Sequence, residues 1–226
     1  MSAVVLRRLL RSPGDIALAC REARDVRAIA AVSLTAIVVG ASIFGGVLGS
    51  FRGGAQIAYA ALKLPMALLV TLAITVPAFH ALAAALGRAW PMRAIVALTL
   101  AAAGRSALVL LALSPALWML YDLHIGYHAA ALAAAAAWAL AGLAAMGILL
   151  RGLGDGPRKH RTALAFAAVF FAVGGQASWT LRPFLVRPRT EQVPFVRARE
   201  GGFGDALYRS GRSSLGIFDA VDVRVR

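Results

Sequence analysis

Acidic side chains are scarce in this chain of 226 residues, 10 against 24 lysines and arginines, and five long apolar stretches, 28–50, 64–87, 94–121, 129–150 and 162–181, contain none. That absence removes the intramembrane carboxylates on which many transporters and proton relays depend. Cys20 is the single cysteine, so no intramolecular disulfide can form. There is no glycine-rich nucleotide loop, no internal repeat, no complete metal-ligand spacing and no credible catalytic set, and Ser106 has no base within its own segment. No catalytic residue, metal or cofactor is therefore assigned. Lysine is rare too, 2 against 22 arginines, a bias that a GC-rich genome explains together with the many alanines.

What remains is apolar. About 20 uncharged residues cross a bilayer as a helix, and a soluble domain with 60% hydrophobic and 15% charged residues would hold more apolar surface than one core hides. The sequence predicts an all-α fold: a polytopic transmembrane bundle of five spans over 28–182, an amphipathic juxtamembrane arm over 1–27, and an extended basic tail over 183–226. The net charge of +14 gathers at span ends and in the two terminal arms. That distribution speaks for membrane topology and contact with anionic headgroups. No basic domain with a recognition motif is present, which argues against nucleic acid as a partner.

The arm is read as retained, since Arg7, Arg8, Arg11, Arg21, Arg24 and Arg27 all precede the first span. Ser12-Pro13-Gly14-Asp15 predicts a helix start, with Ser12 as cap and Pro13 in the first turn. Ile16, Ala19, Cys20, Ala23 and Val26 then share one face, which suits the membrane surface or a partner, with Val4-Val5-Leu6 and Leu9-Leu10 as an apolar anchor beside the arginines. In the first span Ala41, Gly45 and Gly49 recur four apart, a stripe for close helix packing, and the alanine-rich fourth span is expected mid-bundle against it. Pro65 reads as the opening of the second span, leaving 55–63, with Tyr59 and Lys63, as a separate interfacial segment.

The third span would reach about 42 Å as one helix, more than the hydrocarbon thickness, so it tilts, breaks or protrudes. It contains Gly104-Arg105-Ser106, and an arginine at such depth costs about 2.5 to 3.5 kcal/mol unless it faces protein or water. Asp122, His124 and His128 could share a metal, but Gly126 weakens the helix that such pairing needs. At the end of the fifth span Gln176, Trp179 and Arg182 fall on one helical stripe, either an interfacial anchor or a hold for a partner. In the tail Phe195 and Phe203 flank Arg197 and Arg199, a pattern for a headgroup layer or a partner surface, and Val221, Val223 and Val225 alternate as on one strand face.

The five-span layout with an N-terminal arm resembles the Yip-family membrane proteins, although this chain departs from it by its long basic tail. The stretch QASWTLRPF at 176–184, followed by PFVRAREGGF at 194–203, resembles the C-terminal region of uncharacterised bacterial polytopic proteins. The resemblance implies a non-enzymatic integral protein of a bacterial inner membrane. Three functions stay open: a structural or accessory subunit that docks to other membrane-protein subunits; a small channel or transporter with a polar cavity around Arg105 near Pro77, His80 and Gln176; and, last, an intramembrane enzyme in which His80 or His160 would have to reach Ser106 from another segment.

Orientation tests the span count. With the N-terminus inside, five crossings place twelve positive residues inside and ten outside, whereas a re-entrant hairpin hinged at Gly104-Arg105-Ser106 would place sixteen against six. Hairpin backbone at membrane depth requires burial in protein, so five crossings are expected. Cysteines placed at Ser12 and at Ser213 should then be labelled by an impermeant reagent from opposite faces; labelling from one face would establish the hairpin.

Overall fold

The computed structural model describes residues 2–85, 87, 90–154, 159–182, 184–186 and 195. The regular elements among them are all α-helices: α1 (Ser2–Arg11), α2 (Pro13–Arg21), α3 (Val26–Ser50), α4 (Ala55–Ala85), α5 (Met92–Asp122), α6 (Tyr127–Gly152) and α7 (Lys159–Leu181). The last five are long and apolar enough to cross a membrane. Glycine and proline punctuate them. Gly53 and Gly54, both at positive φ, separate α3 from α4, an extended Pro91 precedes α5, and Gly154 at φ +66° follows α6.

Two sequence expectations change here. The third span neither breaks nor folds back: α5 is one helix of 31 residues, about 46 Å long, against a hydrocarbon layer of roughly 30 Å. The second span does not open at Pro65, because α4 already begins at Ala55 and carries both Pro65 and Pro77 in its interior. The segment 55–63 is helical because its backbone lies against glycines of α3. Lys63, expected at the interface, is consequently fully buried.

Close backbone approach decides which helix stands where. A methyl group at Gly45 would overlap the Ala60 carbonyl oxygen, and one at Gly49 would overlap the Gln56 carbonyl oxygen, so α4 lies directly on the small-residue stripe. On another side of α3, a Cβ at Gly40 would come within 2.6 Å of the Ala107 oxygen, and one at Gly104 within 2.9 Å of Ser33. α5 therefore packs backbone to backbone with α3 as well. The alanine-rich α6 does not reach the stripe, against expectation: it packs on α5 and α2, while α7 packs chiefly on α4. Lipid competes equally for apolar side chains, so the backbone-to-backbone glycine contacts that α4 and α5 make with α3 set the centre of the bundle.

The arm folds onto the end of the bundle nearest the N-terminus. Val5 and Leu9 of α1, with Ile16, Ala19 and Cys20 of α2, are buried in one apolar cluster with Ile29, Ile95, Leu98, Ile148 and Leu153. A helix does start at Ser12-Pro13, with Ser12 in the cap position of α2 and Pro13 in its first turn, but Ser12 makes no side-chain capping bond and a further helix, α1, precedes it.

Gly45→Ala should lower the melting temperature in detergent by several degrees, a cost of about 1 to 3 kcal/mol, because the new methyl meets fixed backbone. Gly142→Ala, where nothing lies within 4 Å of the added atom, should be neutral or slightly stabilising. Equal melting of the two variants would contradict the packing.

Candidate functional site

Arg105 stands 13 residues into α5, and its side chain is only partly buried. Its Nη1 donates a hydrogen bond of 3.3 Å to the Leu9 carbonyl at the end of α1. That oxygen is available for a local reason. In α1 the Arg8 carbonyl accepts from the Ser12 N–H at 2.8 Å, but the residue four past Leu9 is Pro13, which has no N–H to give. The arginine of a membrane helix and the orphaned carbonyl of the arm thus satisfy one another. Leu9 itself is fully buried, so the bond lies over a sealed apolar contact.

Cys20 lies in the same contact, fully buried on α2. Burial away from water disfavours its thiolate and pushes the thiol up to about 12. The group therefore stays protonated and unreactive throughout the physiological range.

The opposite end of the bundle collects aromatic and polar groups. Lys63 places Nζ 4.8 Å from the ring centre of Phe195 and 5.9 Å from that of Tyr59, and the two rings meet edge to face at 5.2 Å. Gln56 donates through Nε2 to the Phe184 carbonyl at 3.1 Å. The first described residues after α7 are in this way tied to α4. Phe51 packs against Tyr121 and Tyr127, with ring centres at 5.1 and 6.3 Å. On α7 the Arg182 guanidinium lies 3.6 Å from the centre of the Trp179 ring, as a snorkelling arginine on an interfacial tryptophan does.

The residues singled out by sequence are not brought to one place. Gly45 and Gly49 face α4, Arg105 meets the arm, and Trp179, Arg182 and Phe195 belong to the far end. Gln176 is exposed on α7. Thr71 lies beside Gly174 and Phe79 beside Phe166, which puts Gln176 opposite about residue 69, roughly 16 Å along the bundle from His80. Arg105, His80 and Gln176 do not line one cavity. Arg197, Arg199, Phe203 and the alternating valines at the end of the tail lie outside the described residues. Among the described residues no three His, Cys, Asp or Glu side chains converge, and Ser106 makes no hydrogen bond to a histidine. Among the described residues no nucleophile stands with a base beside it. No known protein family matches the chain, and no curated protein or solved structure shows significant similarity to it.

Two participants had no flag in the sequence reading, Leu9 as an acceptor and Lys63 as a buried cation. Pro13 carried the signal for the first, because a proline always frees the carbonyl four residues before it.

Replacing Arg105 with Met removes a charge-assisted bond worth about 1.5 to 3 kcal/mol and leaves the Leu9 carbonyl unmatched. The arm should loosen and Cys20 should return toward the ordinary thiol range. At pH 8, maleimide labelling of Cys20 should be slow in the native protein and at least tenfold faster in Arg105→Met. Unchanged protection would mean that the arm is held without this bond.

Proposed function

We propose that this chain is a non-enzymatic integral membrane protein serving as a structural or accessory subunit of a larger membrane complex, in a bacterial inner membrane. The observation that supports the reading is the unequal burial of the five spans. Within its most apolar window α5 is 67% buried, whereas α6 is 22% and α7 only 6% buried. An outward helix rich in Leu or Phe is at home in lipid, and α7 exposes Leu164 and Phe171 in that manner. On α6 the exposed leucines Leu132, Leu140 and Leu143 are interleaved with exposed alanines, Ala135, Ala136 and Ala139. Alanine offers lipid little contact but permits close approach of another helix, where dispersion contacts accumulate. We read the alanines between these leucines as room for a helix of another membrane-protein subunit.

The channel or transporter reading drew on a polar cavity joining Arg105 to His80 and Gln176. With Arg105 bonded to Leu9 and Gln176 on the outside of α7, no observation favours it.

Ala136→Trp and Ala139→Trp place bulk on the proposed contact without touching the core. Native electrophoresis of mildly solubilised membranes should show the chain moving from a larger assembly to its own mass, with melting behaviour unchanged. If the wild-type chain migrates alone, or the tryptophan variants keep the full assembly, the subunit reading is wrong.

A further inference from the structure

Lys63 stands eight residues past the start of α4, about 12 Å along it, and is fully buried. A lysine so near a span end ordinarily extends its long stem to keep the ammonium in water. Here aromatic rings stand against it instead. The Lys63 Nζ lies 4.8 Å from the ring centre of Phe195 and 5.9 Å from that of Tyr59, and the two rings meet at 88°. The electron-rich faces of aromatic rings attract a cation most strongly where water is excluded. Tyr59 lies one turn before Lys63, so that half of the arrangement is built into α4. The other half, Phe195, comes from beyond the end of α7.

The burial of α7 explains what this contact holds. The buried residues of that helix are Thr162, Ala163 and Phe166, all in its first two turns. Past Phe166 the next buried residue among those described is Val186, after the helix has ended. Phe184 and Leu185 pack there against the cluster that contains Phe44, Leu48 and Leu64. Gln56, on the same face of α4 as Lys63, donates to the Phe184 carbonyl at 3.1 Å. The chain thus regains the interior where it meets one face of α4.

We propose that Phe184 and Phe195 act as a clasp that pins the C-terminal end of α7 to α4, with Lys63 as its catch. Closed, the clasp keeps the Lys63 ammonium from water. Open, it bares that ammonium and leaves the end of α7 to its own sparse packing, a local opening that needs no span to unfold. The device involves this chain alone and does not depend on the accessory-subunit reading.

Lys63 and Lys159 are the two lysines of the chain, so reductive methylation of the full-length protein in mild detergent, followed by mass spectrometry, reads the catch directly. Lys159, half-buried at the start of α7, reports on the rest of the fold. Lys63 should react much more slowly in the native protein than after unfolding in dodecyl sulfate. The reagent reaches it only in the open state, so its rate follows the population of that state. Phe195→Ala should speed Lys63 about thirtyfold, the equivalent of the roughly 2 kcal/mol that a desolvated cation–ring contact contributes, and leave Lys159 unchanged. Phe195→Tyr keeps a ring face and should keep the protection. Phe171→Ala removes an exposed ring from α7 and should also keep it. Gln56→Met leaves every ring in place, yet should speed Lys63 about fivefold, because the two contacts open as a unit. If Phe195→Ala exposes Lys159 as well, Gln56→Met alone decides. Fast modification of Lys63 in the native protein, continued protection in Phe195→Ala or Gln56→Met, or equal loss of protection in Phe171→Ala or Phe195→Tyr would overturn the proposal.

Discussion

A guanidinium set well inside a membrane helix has to be matched by oxygen, and the oxygen that meets Arg105 comes from the N-terminal arm. Much of the architecture depends on that match. Because Pro13 silences the donor that would have served Leu9, the arm ends its first helix with a carbonyl in need of a partner. Because the arm turns there, its second helix can lay Ile16 and Cys20 against the same cluster of α3, α5 and α6. The arm is thereby part of the bundle, and the charge in α5 is held by it. The same docking brings Arg21 to Gly154, just past the end of α6.

The interior of the bundle follows a second constraint. Lipid chains are as apolar as leucine, so helices associate through contact density and through backbones that approach closely. Gly40, Gly45 and Gly49 of α3, with Gly104 of α5, supply that approach on two sides of one helix. α3 therefore stands between α4 and α5, while α6 and α7 occupy the rim. At the far end, where Lys63 would be costly in hydrocarbon, the rings of Tyr59 and Phe195 stand against it.

The candidate sites were legible where a single residue type carries the argument. An arginine in an apolar stretch demands a partner wherever it falls, and a tryptophan three residues before an arginine at a span end anchors an interface. They were illegible where the partner is backbone or remote in sequence. Leu9 lies 96 residues from Arg105, and Phe184 lies 128 residues from Gln56. The α6 expectation failed for a related reason. An alanine run announces that a helix can be approached closely but does not name the approaching helix, and glycine contacts committed the stripe of α3 to α4 and α5 first.

Apolar length and the absence of charge determined by themselves that five helices can cross a membrane, since the cost of an unpaired backbone or a carboxylate in hydrocarbon leaves no other use for such stretches. Composition likewise determined that cations crowd the span ends and the terminal arms. Tertiary structure alone decided the order of the helices, the continuity of α4 through Pro65 and of α5 through Gly104, and the docking of the arm. Hydrophobic periodicity records which residues avoid water, but in a membrane every outward face avoids water equally. Only the close fit of one backbone on another, and the pairing of a buried charge with a particular carbonyl, separates a central helix from one at the rim.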